Sequence, residues 1–594
     1  MSMFRGKKRL IFAVFASYLT FISYWLILDQ TALDENHPTK QNYPLKRQSS
    51  QGEMSDENEL AFDWSTTRSA SESKHFTPPS EALDPNSAYY GNIYKDMYGH
   101  PVRNASIYGN ETCKVDWKKY FPAIMTSLKK YEVQNPTRDP AAFTSETSTV
   151  SLQTSNKAFK VGDVLVAHIQ AKDRLNRSKT FGGDYFRARL IRTEPNGNLT
   201  DGIACNIKDH LNGSYTLQAP LLMAGTFILE VKLVCPLEGI AGFINFTSMR
   251  NNKGNFFQAI LQTNETVECN MDLNTFDGYE KTPMCDYGNP RNGETWFCVL
   301  PPSRECSPIT WLVIDKRGRV PPFDYRIKYL QIYGNVAQIV GSGTQIDVSL
   351  GAFNDKSIKV TDLPSVYLHQ GNWINTLSSK PIPSSKNFHE CLEHKTVYMF
   401  GDSTIRQFFY LFKSKFDLEL YGPDNSKVWQ QPKTARSKEG KSKITLYYRA
   451  HGPPLGNPGP PSSRPYITDS IDGIKVENES QVYVIFNIGL HLLQDETSLY
   501  VRRLLSIKEA IIRHHKSFSN SKFIVRGMNV VETIDEWLIM RYETLLREIF
   551  KKMTNVFYLN LWDMTTVIPL NGYHPTPPVL DQEALLLLNL LCET

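Results

Sequence analysis

The C-terminal third of the chain alternates short apolar runs with segments in which apolar residues recur every three or four positions. The apolar runs have the length of buried strands and lie at residues 397–400, 482–486, 523–525 and 556–561. The helical spacing predicts helices at residues 403–412, 501–512, 537–549 and 581–591. Strands and helices in alternation predict an α/β domain with a doubly wound parallel sheet over residues 388–594.

An earlier region, residues 87–308, has the alternation of a β domain instead. Apolar side chains occupy every second position in residues 227–233, and residues 164–169 form an apolar run directly after a glycine-aspartate pair. Glycine-containing turns follow one another at spacings of about ten residues, as in Greek-key sandwiches. The pattern predicts a β-sandwich. Residues 309–387 carry further strand-like runs, which either extend this sandwich or bridge it to the C-terminal domain.

Residues 10–28 form an uncharged apolar run that is long enough to cross a membrane as a helix. Basic residues crowd the preceding segment, residues 1–9, and acidic residues follow the run, so the positive-inside rule leaves the short tail in the cytosol. Residues 29–86 are polar and lack apolar periodicity, which predicts a disordered stem. We therefore expect a single-pass type II membrane protein. A cleaved signal peptide, which would give a secreted protein, is the alternative.

Two further features favour a lumenal or extracellular location. Asn-x-Ser/Thr acceptors for N-glycosylation follow the apolar run at Asn104, Asn110, Asn176, Asn198, Asn212, Asn245, Asn264 and Asn478. All nine cysteines also lie beyond the run and lack the Cys-x-x-Cys spacing of metal sites, so we expect disulfides with one thiol left over. The sequence predicts no metal site and, with a net charge of only +5, no nucleic-acid binding.

The candidate chemistry begins at the turn formed by Gly401, Asp402 and Ser403. This turn follows an apolar strand and precedes a helix, so Ser403 is predicted at the carboxyl end of a strand and the amino end of a helix. Open parallel sheets bind their ligands at that edge, and the first amides of a helix have no intrahelical partner. The position therefore suits a nucleophilic serine.

Histidine and amide side chains follow the later strands of the same sheet. Asn487 and His491 come after the second apolar run, and Asn571 and His574 come shortly before the final helix. A serine at the first strand and a histidine near the last helix meet at one edge, which is the arrangement that a Ser–His acyl-transfer site needs. His451 lies in a proline-rich segment and is interpreted as part of an ordinary loop.

Two sets of motifs resemble known families. Segments of the β region are similar to the neurexophilin domain, an immunoglobulin-like sandwich known for binding partner ectodomains, at residues 142–151, 159–163, 182–190, 210–215 and 293–298. Residues 400–406 and 486–491, with the pair His574-Pro575, resemble the PC-esterase branch of the Gly-Asp-Ser esterases, which have an SGNH-hydrolase-like fold. The order of the two parts resembles the neurexophilin and PC-esterase domain family.

The resemblance implies an activity and a set of roles. Members of the branch are mostly membrane-anchored secretory-pathway proteins that add or remove acyl, chiefly acetyl, groups on glycans. This implies a Golgi location, a glycan acceptor such as a sialylated sugar, no bound cofactor, and acetyl-CoA as an acyl donor. By the same resemblance Ser403 is the nucleophile and His574 the base. Together with the amide of Ser403, the residues expected at the oxyanion hole or the substrate are Gly401, Asp402, Gly452, Asn487 and His491.

One position departs from the pattern of the PC-esterase branch. That pattern ends in Asp-x-x-His, whereas Asn571 stands three residues before His574. An amide can orient an imidazole but cannot stabilise its charged form as a carboxylate does. Three interpretations stay open: Asn571 orients a Ser–His dyad, Asp563 replaces the missing carboxylate, or activity is reduced or lost. In the last case the chain is a glycoprotein that binds partner ectodomains through its sandwich.

Overall fold

The computed structural model describes residues 100–102, 116–134, 139–153, 158–248, 256–271, 276, 283–289, 295–315, 336–351, 363–376, 380–381, 388–421, 432–438, 443–452, 459–461, 464–476, 481–493, 495, 497–533 and 536–593. The predicted tail, membrane anchor and stem, residues 1–86, lie outside these ranges. Among the residues described, no helix combines the length and apolar character needed to cross a membrane. The residues described in this way belong to one compact unit.

The strands that precede the C-terminal domain are short, and nearly all their pairings are antiparallel. In chain order they are β1 (His100–Val102), β2 (Thr149–Leu152), β3 (Phe159–Lys160), β4 (Val164–Gln170), β5 (Tyr185–Thr193), β6 (Leu199–Ala204), β7 (Asn206–Asp209), β8 (Ser214–Pro220), β9 (Gly225–Cys235), β10 (Phe256–Leu261), β11 (Thr266–Asn270), β12 (Met284–Asp286), β13 (Phe297–Val299), β14 (Ile309–Asp315), β15 (Ala337–Gln338), β16 (Thr344–Ser349), β17 (Val366–His369), β18 (Asn372–Asn375) and β19 (Lys380–Pro381).

Two sheets pack face to face as a β-sandwich. The larger has the order β19-β18-β17-β6-β5-β9-β16-β3, with β15 also paired to β9, and the smaller has the order β2-β4-β8-β7. Alternate side chains of each strand point inward, and Leu165, Leu217 and Val231 are fully buried between the sheets. Strands β16, β17 and β18 come from residues 309–387 and extend the larger sheet.

A third sheet, of order β1-β12-β13-β11-β10-β14, lies outside the sandwich. The disulfides Cys269–Cys298 and Cys285–Cys306 cross-link this region. Helices α1 (Pro122–Gln134) and α2 (Leu237–Ser248) pack near it, and their buried side chains share one apolar core with the C-terminal domain. The sequence alone could not give the pairing of these cysteines, because disulfide connectivity depends on which strands become neighbours.

The C-terminal domain is built on a seven-stranded sheet. Its strands are β20 (Lys395–Gly401), β21 (Leu418–Tyr421), β22 (Lys433–Ser437), β23 (Thr445–Ala450), β24 (Gln481–Phe486), β25 (Lys522–Arg526) and β26 (Val556–Leu559). Its helices are α3 (Phe388–Leu392), α4 (Ser403–Lys415), α5 (Ile467–Asp472), α6 (Thr497–Ser517), α7 (Glu536–Phe550), α8 (Trp562–Val567) and α9 (Pro577–Glu593).

The order of this sheet determines where its site lies. The order is β21-β22-β23-β20-β24-β25-β26, with five parallel strands and an antiparallel pair, β21 and β22, at one edge. The chain leaves β20 in one direction to reach β23 and returns past it to reach β24. Such a reversal is a topological switch point, where α/β proteins bind ligands beyond the carboxyl ends of the strands.

The sandwich and the C-terminal domain are packed directly on each other. Gly202 in β6 lies against α8 so closely that a Cβ there would be 2.4 Å from Val567 Cγ1. Arg189 donates from Nη1 to the Val567 carbonyl at 2.6 Å, and Arg187 pairs with the fully buried Glu536 of α7 at 3.0 Å. Burial raises the pKa of Glu536 to about 7, and Arg187 opposes the rise. The larger sandwich sheet therefore supports α7 and α8.

Three of the predicted glycosylation sites, Asn176, Asn212 and Asn264, have exposed side chains in turns. Asn198 is partly exposed. Asn104, Asn110 and Asn478 lie outside the described residues, as does the side chain of Asn245. N-glycosylation at these positions stays a prediction. It requires an exposed asparagine, as Asn176, Asn212 and Asn264 are.

A third disulfide, Cys391–Cys592, joins α3 to the last helix across 201 residues of sequence. It closes the C-terminal domain, because α3 precedes the first strand of the sheet and α9 ends the chain. We expect the double variant Cys391→Ala with Cys592→Ala to lower the free energy of unfolding by about 2–5 kcal/mol, since a long loop is no longer closed in the unfolded chain. Thermal unfolding of the purified ectodomain measures this.

The matched control is Cys205→Ala, which removes a partly buried free thiol. Its melting temperature should stay close to that of wild type. Equal melting temperatures for the double variant and wild type would contradict the stabilising role of Cys391–Cys592.

Candidate active site

The turn from β20 into α4 holds Ser403 in place. A Cβ at Gly401 would lie 2.6 Å from the Asn487 carbonyl oxygen and 2.7 Å from Ile405 Cγ1, so only glycine fits where the strand ends. Asp402 caps α4, accepting a hydrogen bond from the Thr404 amide at 2.9 Å. Ser403 is thus the first residue of the helix, with its amide unengaged by the helix.

The apolar face of α4 anchors this turn to the core. Four side chains at helical spacing are fully buried beneath it: Ile405, Phe408, Phe409 and Phe412. They hold the helix on the sheet, so the direction of Ser403 is set by the core and not by the loop alone.

His574 reaches Ser403 from the far end of the domain. Its Nε2 lies 2.6 Å from Ser403 Oγ, across 171 residues of sequence. The segment before it is held by a short parallel bridge between Val531 and Leu570, and Gln407 of α4 donates to the Pro575 carbonyl at 3.3 Å. These contacts place the histidine within hydrogen-bonding distance of the serine, as a general base must be.

The surroundings of His574 keep its imidazole neutral. Burial by neighbouring groups lowers the pKa of His574, Arg406 and Arg526 lower it further, and Asp402 opposes them. The side chain as a whole is still exposed at the sheet edge. A neutral and accessible imidazole can accept the Ser403 proton at neutral pH.

The loops beside Ser403 come from the two strands that flank β20. The register pairs Gly401 with Ala450 of β23 and Phe400 with Phe486 of β24. Residues 451–452 and Asn487 therefore begin at the same level of the sheet as Ser403. This arrangement follows from the parallel register alone.

A pair of histidines, the buried His451 and the partly buried His491, lies in these loops. His451 Nδ1 is 2.6 Å from the Gly452 carbonyl oxygen, and His451 Nε2 is 2.9 Å from His491 Nδ1. Because a carbonyl only accepts, His451 carries its proton on Nδ1, and His491 Nδ1 donates to the free His451 Nε2. Burial lowers the pKa of His451 to about 3, with His491 and Arg503 adding to the effect. His451 thus holds the carbonyl of Gly452, and His491 holds the ring of His451.

The predicted oxyanion groups differ in what they contact. Asn487 is buried, and its Nδ2 donates to the Arg526 carbonyl at 2.6 Å. Gly452 packs on the ring of Tyr466, where a Cβ would lie 2.3 Å from Tyr466 Cδ1. In the described part of the chain, the amides of Ser403 and Gly452 donate to no other group. These two amides are the donors left to face an oxyanion.

The two candidates for the third member of a triad lie elsewhere. Asn571 is exposed, and within the described residues no hydrogen bond joins it to His574. The Asp563 carboxylate accepts from the Ser365 amide at 2.7 Å and from Asn560 Nδ2 at 2.7 Å, and burial raises its pKa. In this structure neither Asn571 nor Asp563 contacts the His574 imidazole through a hydrogen bond between described residues.

His451 is the functional neighbour that sequence reasoning assigned to an ordinary loop. His451 follows strand β23, whose residues Thr-Leu-Tyr-Tyr-Arg-Ala lack the continuous apolar run of a buried strand, so no local pattern marked its position at the sheet edge. In the described ranges no group of His, Cys, Asp and Glu side chains is placed to hold a metal ion.

The position of Asn571 generates a prediction about the reaction of Ser403. We expect Asn571→Ala to keep the rate of Ser403 labelling by a fluorophosphonate probe within about threefold of wild type, because the side chain does not contact the base. His574→Ala should slow the labelling roughly a thousandfold or more, because the proton acceptor is lost. Rates come from gel-based probe incorporation. A large loss with Asn571→Ala would mean that the amide does orient His574 in solution.

Two family models match the chain, and both matches agree with the structural division. Residues 126–328 match the model described as Neurexophilin, a range that takes in most of the sandwich and the third sheet. Residues 373–592 match the model described as NXPE family member 4-like, C-terminal domain, a range that includes the seven-stranded sheet with Ser403 and His574. The chain is therefore similar to the neurexophilin domain over residues 126–328 and to the C-terminal domain of NXPE family member 4-like proteins over residues 373–592.

Proposed function

We propose that the C-terminal domain transfers or removes acyl groups, chiefly acetyl groups, on glycan hydroxyls through a covalent Ser403 acyl-enzyme. The observation that carries this proposal is the 2.6 Å contact between Ser403 Oγ and His574 Nε2 at the carboxyl edge of the sheet. A serine hydroxyl is a weak nucleophile until a base takes its proton. The amides of Ser403 and Gly452 donate to no other group among the described residues, and they follow the paired strand ends Gly401 and Ala450, which supports acyl chemistry over a structural Ser–His contact.

The proposed reaction has two steps. Ser403 Oγ attacks the carbonyl carbon of the acyl donor while its proton passes to His574 Nε2, and the amides of Ser403 and Gly452 stabilise the resulting oxyanion. Each such donor is worth about 3–4 kcal/mol in comparable sites. The imidazolium then protonates the leaving group, and the acyl group remains on Ser403. In the second step a sugar hydroxyl accepts the acyl group in transfer, or water does so in hydrolysis.

The glycan substrate and the compartment are parts of the same proposal. The similarity of the chain to the neurexophilin and NXPE family models suggests a secretory-pathway protein. Disulfides among the described residues agree with an oxidising compartment. The resemblance of residues 400–406 and 486–491 to the PC-esterase branch supports a glycan acceptor, with acetyl-CoA as a donor. The apolar run at residues 10–28 supports a type II anchor that leaves the site in the Golgi lumen.

A second candidate function is binding of a partner ectodomain without catalysis. The observation that favours it is the exposed Asn571, which leaves no carboxylate at the position where the PC-esterase pattern has one. The surface for such a partner would be the outer face of the smaller sandwich sheet, since the larger sheet packs on α7 and α8. On that face His168 and Gln218 are exposed.

The experiment that tests the proposal measures base-labile O-acetyl groups on cell-surface and secreted glycans by mass spectrometry. Cells express wild type, Ser403→Ala, His574→Ala or Ser414→Ala at matched levels. Ser414 is an exposed serine near the end of α4, so its variant controls for a serine-to-alanine change on the same helix.

We expect wild type and Ser414→Ala to change glycan acetylation and the two site variants to have no effect. A gain would mean transfer, and a loss would mean hydrolysis. Equal acetylation in all four cell lines would contradict the enzymatic proposal and favour the binding function.

A further inference from the structure

The fully buried Asp402 has one carboxylate oxygen that its structural role does not use. Oδ1 accepts both hydrogen bonds of the helix cap, from the Thr404 amide at 2.9 Å and from Thr404 Oγ1 at 2.6 Å. Oδ2 is buried and accepts no hydrogen bond from any described residue. Leaving a buried carboxylate oxygen without a partner is costly, so such a group calls for an explanation beyond packing.

The charge on Asp402 persists in this environment. Burial alone would raise the pKa of Asp402, but His491, the Thr404 hydrogen bond and His451 together hold it below its ordinary value. Arg526 also faces the carboxylate, yet its own guanidinium is paired with Glu583 at 3.0 Å. Asp402 is therefore ionised at neutral pH without a salt bridge of its own.

Titratable and charged groups from several elements surround Asp402 and His574, in addition to Glu583 of α9, which pairs with Arg526 and whose pKa burial raises. They are Tyr448 in β23, His451 after β23, His491 after β24, Tyr500 on α6, Arg526 at the end of β25 and Arg406 on α4. The two arginines are cationic, the two tyrosines have pKa values raised by burial, and the two histidines hydrogen-bond each other. Around His574, Asp402 therefore carries the negative charge that these cationic and neutral groups lack.

We propose that Asp402 supplies the negative charge that stabilises the His574 imidazolium, in place of a carboxylate at position 571. When the proton leaves Ser403 Oγ for His574 Nε2, a cation forms beside Arg406 and Arg526, which oppose it. Asp402 precedes Ser403 in the chain and is anionic on the same edge, so it offsets that repulsion. Asp402 touches neither substrate nor reacting atom and acts through His574. This inference rests on the proposed function.

The substitution Asp402→Asn separates the charge from the cap. Asparagine caps helices as well as aspartate does, so the turn and the fold are kept while the charge is lost. The matched control is Asp116→Asn, at a second helix cap, where Asp116 Oδ1 accepts from the Lys118 amide at 3.2 Å. Thermal unfolding of both variants checks the fold.

The first readout is the rate of Ser403 labelling by a fluorophosphonate probe in the full-length protein as a function of pH. The rate rises with pH as His574 becomes neutral. Because Asp402 raises the pKa of His574, its removal should move the midpoint to lower pH and reduce the plateau roughly tenfold or more. Asp116→Asn should change neither. A reduced plateau with an unchanged midpoint would indicate a merely structural role and overturn the proposal.

The second readout does not require activity. Diethylpyrocarbonate carbethoxylates the neutral imidazole, and mass spectrometry of the His574 peptide measures the rate of this modification. The midpoint of the rate as a function of pH gives the pKa of His574. We expect a lower midpoint in Asp402→Asn than in wild type. A shifted midpoint with no probe labelling of wild type would uphold the charge interaction while the proposed function fails. An unshifted midpoint would overturn the inference whether or not wild type is labelled.

Discussion

The hydrogen bond between Ser403 and His574 joins distant parts of the C-terminal domain. It joins the start of the first helix after β20 to the segment before the last helix, across 171 residues. The central place of β20 also brings the loops after β23 and β24 to the serine from both sides. The parallel register and the buried face of α4 fix the position of Ser403. The bridge between Val531 and Leu570 fixes the segment that precedes His574.

The sandwich contributes to the same geometry from outside the domain. Its larger sheet packs on α8, the helix that leads into the His574 segment, through Gly202 and through the hydrogen bond from Arg189 to the Val567 carbonyl. The ion pair between Arg187 and Glu536 fixes α7 in the same interface. Breaking a buried pair of this kind costs about 3–5 kcal/mol, so the two parts are energetically dependent on each other. The sandwich is therefore part of the support of the site, whatever else it binds.

Much of the fold could be predicted from periodicity, because buried strands and amphipathic helices leave strong patterns. The apolar runs that became β20, β24, β25 and β26 are of this kind, and so is the alternation in β9. Strand β23 was missed because tyrosine and arginine interrupt its apolar residues. His451, which follows this strand, was therefore interpreted as part of an ordinary loop. The pairing of the cysteines depends on contacts between distant strands, which no local pattern contains.

The site, like the fold, has parts that the sequence predicts and parts that it does not. The meeting of Ser403 and His574 could be predicted from the order of strands and motifs, since parallel strands deliver their following loops to one edge. The sequence drew attention to Asn571 as the partner of His574, but whether an amide reaches an imidazole three residues away depends on loop conformation. Asp402, by contrast, was expected at the oxyanion hole or the substrate, and its helix cap, its burial and its unpartnered Oδ2 are visible only in the structure.

The most direct test of the central claim is to trap the acyl-enzyme. Full-length protein is mixed with an activated acetyl ester, quenched in acid within seconds, digested and analysed by tandem mass spectrometry. The account predicts an acetyl group on Ser403 that hydroxylamine removes and that is absent from His574→Ala. Acetylation spread over surface lysines, with Ser403 unmodified in wild type, would contradict it.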